Sequence, residues 1–332
     1  MHFRALSVTP DAPGPKDPLP TASPDTASPD TASTGTVSWR ELRREASDFL
    51  AKDLGGDRAQ EARWLVERVS GYSSAELIVN DSEVVSARSV AFFDHLLARR
   101  RAGEPLQYVL GRWSFRSLEL IVNPSVLIPR PETEMVAGLA IDAAREAVAA
   151  RTAPTQPVTA VDLGTGSGAI ALSIVTEVPG VTVWATDASV SGLATARANL
   201  AGLGREASRV TLAEGSWFDA LPTDLCGHID VLVSNPPYVA PAAAESMAAD
   251  VLAHEPHMAL FAESEGTAHL AHLIENAPRW LADGGTVVLE MSPEQIDWAV
   301  AELTRKGLID VSIHCDFTDR PRAVRARKRA RI

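Results

Sequence analysis

One apolar run in the second half of the chain leads directly into a glycine-rich loop and then into a helical segment. The run Val158–Leu163 has the length and composition of a buried strand, and the loop Gly164–Gly168 follows it without a gap. Glycine lets a backbone approach a ligand closely, and the start of the next helix offers N–H groups that lack partners within the helix. A strand, a tight loop and a helix in this order predict an α/β fold with a parallel sheet and a site for a polar or anionic group.

A carboxylate stands where the next strand is predicted to end. Asp187 follows the run Val181–Thr186, about twenty residues beyond the loop, where an acid that accepts hydrogen bonds from a ribose is expected. The alternative is that Asp187 caps the helix predicted over Ser189–Leu200. Neither the loop nor Asp187 distinguishes a nicotinamide dinucleotide from S-adenosylmethionine as the ligand.

A third apolar run, Ile229–Ser234, ends in the tetrapeptide Asn-Pro-Pro-Tyr. Asn235 is therefore predicted at the carboxyl end of a buried strand, where open α/β sheets bind ligands. The two prolines stiffen the turn, and Tyr238 adds an aromatic face with a polar tip. The side-chain oxygen of Asn235 and the carbonyl of Pro236 could each accept one hydrogen from a substrate NH₂ group, which would turn the nitrogen lone pair towards an electrophile. The alternative is a tight proline turn without a chemical role.

The loop, the acid and the tetrapeptide occur in this order at three predicted strand ends, which fits an amino-methyltransferase better than a dehydrogenase. At this level the chain resembles the class I S-adenosylmethionine-dependent methyltransferases. More closely, it resembles the HemK/PrmC family of protein N5-glutamine methyltransferases, which modify the Gly-Gly-Gln glutamine of peptide chain release factors. The resemblance covers roughly residues 38 to 329 and rests on four segments, Gln107–Gly111, Leu127–Glu134, Asp162–Gly168 and Asn235–Tyr238.

The resemblance implies S-adenosyl-L-methionine as the cofactor, no metal, and in-line transfer of its methyl group to a glutamine side-chain nitrogen. The catalytic residues that it implies are Asn235, Pro236, Pro237 and Tyr238. The cofactor-binding residues that it implies are Gly164, Thr165, Gly166, Ser167, Gly168, Asp187, Trp217 and Asn235, with Trp217 beside the adenine. The alternative for Trp217 is a side chain of the buried core. In one place the chain departs from the family, which commonly has glycine before the arginine near the carboxyl end, where this chain has Asp319 before Arg320.

The chain divides into four predicted parts. Residues 1–37 are rich in Pro, Ser and Thr and are expected to be disordered. Residues 38–104 carry three helical apolar stripes and predict a small helical domain, which the resemblance implies recognises the protein substrate. Residues 105–130 alternate apolar and polar positions and predict a β-hairpin linker. Residues 131–332 form the predicted S-adenosylmethionine-dependent methyltransferase domain, a Rossmann-like, seven-stranded and mostly parallel sheet with helices on both faces and an antiparallel last strand.

Composition sets limits on the partners. A formal net charge of -12 disfavours general binding to nucleic acid, although the tail Arg320–Ile332 is basic, which we interpret as an edge strand protected by positive charge. Two widely separated cysteines, no long apolar run and no signal-peptide pattern predict a cytoplasmic protein with no membrane contact. We expect a monomer whose partner is a release factor and which requires no nucleic acid.

Other functions remain open at this level. A related glutamine methyltransferase modifies a ribosomal protein, and the segment from residue 129 to 134 with the helical domain favours the release-factor enzyme over it. DNA adenine-N6 methyltransferases share the Asn/Asp-Pro-Pro-Tyr/Phe pocket, but the acidic charge and the lack of a recognisable base-reading domain argue against them. A noncatalytic cofactor-binding protein is disfavoured by the intact tetrapeptide.

Overall fold

A computed structural model of the chain describes residues 36–151 and 157–330. The predicted disordered tail lies, apart from its last two residues, outside the described part of the chain. Residues Val37–Ile332 form one compact unit. The predicted boundaries at residues 104 and 130 fall within this unit and stay a prediction. Among the described residues, no helix is both long and apolar enough to cross a membrane.

The first part of the described chain is helical, as the apolar stripes predicted. Its four helices are α1 (Trp39–Leu54), α2 (Ala59–Ser70), α3 (Ser74–Asn80) and α4 (Ala87–Arg101). Ser38 begins α1 with a reciprocal cap, because its hydroxyl accepts from the Glu41 N–H and the Glu41 side chain accepts from the Ser38 N–H. Side chains from the predicted stripes, among them Leu50, Leu65 and Phe93, are buried together between the helices. The helical part therefore has its own apolar core.

The linker differs in part from the predicted hairpin. Residues Leu106–Leu110 form a short helix, α5, and only Arg112–Phe115 (β1) and Leu118–Ile121 (β2) pair as an antiparallel hairpin. The alternation that predicted a strand over Leu106–Leu110 instead places almost all of these side chains in the interior. The hydroxyl of Tyr108 donates to the Val126 carbonyl at 2.6 Å, so α5 is tied to the segment that leads into the second part of the fold.

The rest of the described chain alternates helices and strands around one sheet. Its elements are α6 (Pro131–Ala150), β3 (Val158–Leu163), α7 (Ala169–Glu177), β4 (Val181–Asp187), α8 (Val190–Ala201), β5 (Val210–Glu214), β6 (Ile229–Ser234), α9 (Ala249–His254), α10 (Ala268–Trp280), β7 (Leu281–Glu290), α11 (Ile296–Arg305), β8 (Leu308–Cys315) and β9 (Pro321–Lys328). The strand order is β5-β4-β3-β6-β7-β9-β8, with β9 antiparallel to both of its neighbours. Helices α6 and α7 pack on one face of the sheet and α10 and α11 on the other. The predicted seven-stranded Rossmann-like fold is confirmed.

The interpretation of the basic tail as an edge strand is wrong. Strand β9 lies between β7 and β8, and its side chains Ala323, Val324 and Ala326 are fully buried. Positive charge is accommodated there by ion pairs, since Arg325 lies 2.5 Å from a carboxylate oxygen of Glu146 on α6. Charge near a strand does not by itself indicate an edge, because long basic side chains can leave the interior and meet acidic groups at its rim.

The parallel strands bring their carboxyl ends to one edge of the sheet. Leu163 at the end of β3 is paired with Thr186 on β4 and with Ser234 on β6. The glycine loop follows β3, Asn235 follows β6, and Asp187 is the last residue of β4. The register of the sheet therefore brings together the three features that the sequence singled out.

Candidate active site

An open cavity of about 390 Å³ lies at this edge of the sheet. Its lining includes eight of the predicted site residues, Gly164, Thr165, Gly166, Ser167, Asp187, Trp217, Asn235 and Pro237. Three predicted residues, Gly168, Pro236 and Tyr238, are not among the lining residues. Segments on either side complete the wall, including Ser125–Leu127, Pro256 and Met258. The sequence therefore predicted eight of the residues that line this cavity.

The glycine loop is shaped by backbone conformations that favour glycine. Gly164, Gly166 and Gly168 all have positive φ, between 54° and 87°. Asp162, at the penultimate position of β3, lies beneath the loop, where it accepts from the Thr165 hydroxyl at 2.6 Å and from the Ala171 N–H at 3.2 Å. Burial raises the pKa of the Asp162 carboxyl to about 7. Asp162 thus ties the loop to the start of α7.

Asp187 links the loop to the entry of α8. Its Oδ2 accepts from the Gly166 N–H and its Oδ1 from the Ser189 N–H, both at 2.8 Å. The predicted alternative role as the helix cap belongs instead to Ser189, whose hydroxyl accepts from the Gly192 N–H at 3.0 Å. A carboxylate can accept about four hydrogen bonds, so Asp187 retains lone pairs towards the cavity.

Trp217 forms the wall on the other side of the loop. Its backbone has a positive φ of 49°, which is uncommon for a large residue, and its ring lies against Gly164. A Cβ atom on Gly164 would lie 3.4 Å from Cζ3 of that ring. The His269 ring contacts Trp217 with a centroid distance of 5.1 Å, and burial lowers the pKa of His269. A flat aromatic surface is therefore held next to the glycine loop.

The Asn-Pro-Pro-Tyr turn presents only part of itself to the cavity. The carboxamide nitrogen of Asn235 donates to the Thr133 hydroxyl at 3.2 Å, and no described residue hydrogen-bonds its carboxamide oxygen. Tyr238 is not among the residues that line the cavity, and its hydroxyl donates to Oε1 of Glu290 at 3.4 Å. Burial and the neighbouring Glu290 raise the pKa of Tyr238, so the ring stays neutral.

The backbone of Tyr238 is held from two sides. Its carbonyl accepts from Nε2 of Gln295 at 3.0 Å, and Gly266 approaches so closely that a Cβ atom there would lie 2.2 Å from the same oxygen. Gly266 has a φ of 85°, a backbone conformation that favours glycine.

Thr133 and Glu290 are further residues for which sequence reasoning predicted no role. Thr133 lines the cavity at the start of α6, and Glu290 ends β7 with only 1% of its surface exposed. Burial raises the pKa of Glu290 to about 7, while the nearby Thr133 hydroxyl and the charge of Arg322 oppose that rise. The signal for Glu290 was available, because a carboxylate at the end of a buried parallel strand occupies the same kind of position as Asp187.

Arg130 forms an ion pair with a buried carboxylate beside the cavity. Its guanidinium lies 2.5 Å from Oε1 of Glu255, a carboxylate that also accepts from the Ile128 N–H at 3.1 Å. Glu255 is almost fully buried, so this ion pair joins the segment before α6 to the loop after α9. Both segments contribute to the cavity wall.

The turn between β8 and β9 explains the departure at Asp319. This residue has a φ of 59°, a conformation that glycine adopts freely and that aspartate tolerates better than most side chains. The turn is held by Asp316, whose carboxylate accepts from the backbone N–H groups of Thr318 and Arg320. Arg320 also pairs with Glu132 on the first turn of α6 at 3.4 Å. The local turn therefore forms without the glycine.

Comparison with known proteins agrees with this geometry. The family profile described as PrmC N-terminal domain matches residues 41–111, and the profile described as methyltransferase small domain matches residues 135–270. The chain is 42% identical over 236 residues to a release factor glutamine methyltransferase of Streptomyces coelicolor, an alignment that covers 70% of this chain and 79% of that protein. It is 40% identical over 271 residues to a protein of the same name from Bordetella pertussis, with 81% of this chain and 95% of that protein covered.

A solved structure, the hMettl16 catalytic domain in complex with an RNA hairpin, superposes with a TM-score of 0.50 at 13% identity, covering 79% of this chain and 91% of that one. This likeness concerns the fold alone. The two bacterial proteins are each at least 40% identical to this chain over at least 70% of its length. The chain belongs to the release factor glutamine methyltransferase family.

Proposed function

We propose that this protein transfers a methyl group from S-adenosyl-L-methionine to the side-chain N5 of the glutamine in the Gly-Gly-Gln motif of peptide chain release factors. The observation that carries the proposal is the position of Asn235. Its carboxamide oxygen has no hydrogen-bond partner among the described residues, and the side chain lies at the wall of the cavity that the glycine loop also lines.

The cavity residues suit S-adenosylmethionine. The volume of the cavity falls within the range of small-molecule sites, roughly 300–1,000 Å³. The positive-φ glycines allow the amino-acid part of the cofactor to approach the backbone, Asp187 has lone pairs for ribose hydroxyls, and Trp217 offers a flat surface for the adenine. When bound, the cofactor supplies an electrophilic methyl group on a sulfonium.

Asn235 supplies the complementary property for the acceptor. A carboxamide nitrogen is a poor nucleophile because its lone pair is conjugated with the carbonyl. In our proposal one N–H of the substrate glutamine donates to Oδ1 of Asn235 and the other to the Pro236 carbonyl, which orients the lone pair towards the methyl group. Oriented proximity of this kind contributes roughly 7–11 kcal/mol to catalysis. The proton that the nitrogen loses passes to water.

A release factor is the substrate that the relatives favour. Both bacterial relatives carry that name, and the matched N-terminal profile covers the helical part that we propose recognises the protein substrate. That part exposes large apolar side chains on α3, with Ile78 at 70% and Val79 at 81% exposure. Such side chains are typical of protein contacts, and the net charge of -12 disfavours a DNA substrate.

The test is incubation of the purified full-length chain with methyl-labelled S-adenosylmethionine and three separate acceptors: an intact release factor, a ribosomal protein and duplex DNA. We expect label in the release factor alone, located at the motif glutamine by mass spectrometry of its peptides. A release factor with that glutamine replaced by alanine is the matched control and should stay unlabelled. Label in the ribosomal protein or the DNA, but not in the release factor, would overturn the proposal.

A further inference from the structure

Two apolar segments line the cavity together with Asn235. Leu127 and Pro129, which we call the linker wall, come just before α6. Pro256 and Met258, which we call the loop wall, come just after α9. None of these four side chains carries a charge or a hydrogen-bond donor, so they suit the methylene groups of a glutamine side chain rather than its carboxamide.

Both walls are joined to the Asn-Pro-Pro-Tyr turn by hydrogen bonds. On the loop side, the Val239 N–H donates to the Leu260 carbonyl at 3.0 Å, and the Ala262 N–H donates to the Val239 carbonyl at 2.9 Å. On the linker side, Asn235 donates to the Thr133 hydroxyl at 3.2 Å, shortly after the linker wall in the chain. Each wall is therefore tied at one end to the residue that we propose holds the acceptor.

One carboxylate joins the two walls directly to each other. Oε1 of Glu255 lies 2.5 Å from the Arg130 guanidinium, and Oε2 accepts from the Ile128 N–H at 3.1 Å. Arg130 and Ile128 stand on either side of Pro129 in the chain, and Glu255 comes directly before Pro256. The linker segment, the turn and the loop are thus connected pairwise around this part of the cavity.

Apolar packing does little to hold the loop. Of the residues from 239 to 259 whose burial is described, Glu255 alone is buried, and α9 buries none of its side chains. A buried ion pair is weak evidence for stability, because removing two charges from water is costly. What the Glu255 carboxylate does determine is where the loop wall stands relative to the linker wall.

We propose that Glu255 and Arg130 are positioning residues that hold the linker wall and the loop wall at a fixed separation, so that the substrate glutamine enters a slot that is formed before it binds. This inference rests on the proposed function, because it deepens the description of the same cavity. Neither Glu255 nor Arg130 contacts the substrate in this scheme. They act through Pro129 and Pro256, the wall residues next to them in the chain.

Loss of the ion pair should affect substrate binding more than the chemical step. The loop wall would still be attached to Val239 but would sample positions in which the slot is not formed. The substrate would then have to order the loop, which costs binding free energy and raises KM, whereas the bound complex keeps its geometry. The glycine loop is held separately by Asp162 and Asp187, so cofactor binding should not change.

The experiment compares variants of the full-length chain in methylation of an intact release factor. Arg130→Met removes the positive charge, and Arg130→Lys keeps it. Arg151→Met is the matched control, because Arg151 lies 2.7 Å from Asp230, whose carboxylate likewise accepts from one backbone N–H, that of Thr159 at 2.9 Å. Asp230 stands near the start of β6, at the opposite edge of the sheet, and neither member of this pair lines the cavity.

We expect Arg130→Met to raise KM for the release factor by roughly tenfold or more, the factor for one hydrogen bond to a charged group, with kcat within about threefold of the wild type. Arg130→Lys and Arg151→Met should stay within about threefold of the wild type in KM, since lysine can also pair with the carboxylate and the control lies far from the walls. All three variants should bind S-adenosylhomocysteine with wild-type affinity.

Hydrogen exchange of the chain without release factor gives a readout that does not depend on activity. Backbone amides of residues 249–262 should exchange roughly tenfold faster in Arg130→Met than in Arg151→Met, because the loop opens more often. Amides of β3 should exchange equally in the two variants. A role limited to overall stability would not confine the difference to the loop.

Three results would each overturn the inference: equal KM values for Arg130→Met and Arg151→Met, equal impairment of Arg130→Met and Arg130→Lys, or equal exchange of the loop amides in Arg130→Met and the control. If Arg130→Met does not fold, Glu255→Gln takes its place, and a wild-type KM for that variant would overturn the inference alone. Failure of the proposed function is distinct, because the wild-type chain would then not label the release factor, while hydrogen exchange would still test the ion pair.

Discussion

Replacement of Asp187 by alanine separates two roles that the structure gives to one carboxylate. Its two oxygens hold the Gly166 and Ser189 N–H groups at 2.8 Å, and we propose that its remaining lone pairs accept from the ribose of the cofactor. A purely structural anchor and a ribose ligand both predict weaker cofactor binding. The two roles differ in one respect. Only for a ribose ligand does the loss of affinity depend on the ribose hydroxyls of the cofactor.

The structure sets the size of each effect. Gly166 and Ser189 are only partly buried, so water can replace the carboxylate in the variant, and the loss of unfolding free energy should be the net value for bonds to a charged group, about 1.5–3 kcal/mol. Loss of the ribose hydrogen bonds should weaken cofactor binding by a similar 1.5–3 kcal/mol, or roughly 12- to 140-fold in Kd. The change in unfolding free energy and the change in Kd for the cofactor are measured independently.

Calorimetric titration with S-adenosylhomocysteine and with its 2′-deoxy analogue tests the assignment. We expect Asp187→Ala to weaken binding of the natural ligand more than that of the analogue, which lacks one of the proposed hydrogen bonds. Ser38→Ala is the destabilising control, since it removes the cap of α1, about 1 kcal/mol, far from the cavity. An equal loss of affinity for both ligands would show that Asp187 serves only as an anchor of the loop.

Three further predictions concern the acceptor side. Asn235→Ala should lower kcat by roughly 100-fold or more while the chain still binds S-adenosylhomocysteine, and near-normal turnover by a folded variant would contradict the mechanism. Gly266→Ala should impair methylation more than Gly180→Ala, because both glycines have φ near 85° but only a Cβ on Gly266 would clash, at 2.2 Å from the Tyr238 carbonyl; equal activities would exclude a role for that contact. Replacing Ile78 and Val79 on α3 by serine should raise KM for an intact release factor with cofactor affinity unaltered, whereas deletion of residues 1–36, a segment with almost no large apolar side chains, should change neither; the opposite pattern would refute the proposed recognition by the helical part.

Much of the fold could be predicted because its strands are short apolar runs bounded by turn residues. The predicted bounds of β3 and β6 agree with the structure. Periodicity failed over Leu106–Leu110, where five residues are too few to separate a helical turn from a strand when most of their side chains are buried. It also could not place β9 in the sheet, because strand order depends on contacts between distant segments.

The candidate site was predictable where its residues stand at the end of a strand. The glycine loop and Asn235 follow parallel strands, Asp187 ends one, and the family resemblance added Trp217. Thr133 could not be found this way, because its partner Asn235 lies 102 residues away and only the folded chain brings the two side chains together. The position of Tyr238 was equally inaccessible, since the sequence gives no direction for its ring relative to the cavity.

The register of the central strands explains why Glu290 lies beside the Asn-Pro-Pro-Tyr turn. Leu163, Ser234 and Leu289 are partners across β3, β6 and β7. The next residues along these strands, Gly164, Asn235 and Glu290, therefore stand side by side at this edge of the sheet. A shift of one residue in β7 would turn Glu290 to the other face of the sheet, because side chains alternate along a strand. The pairing that builds the core thus also fixes which groups stand beside Asn235.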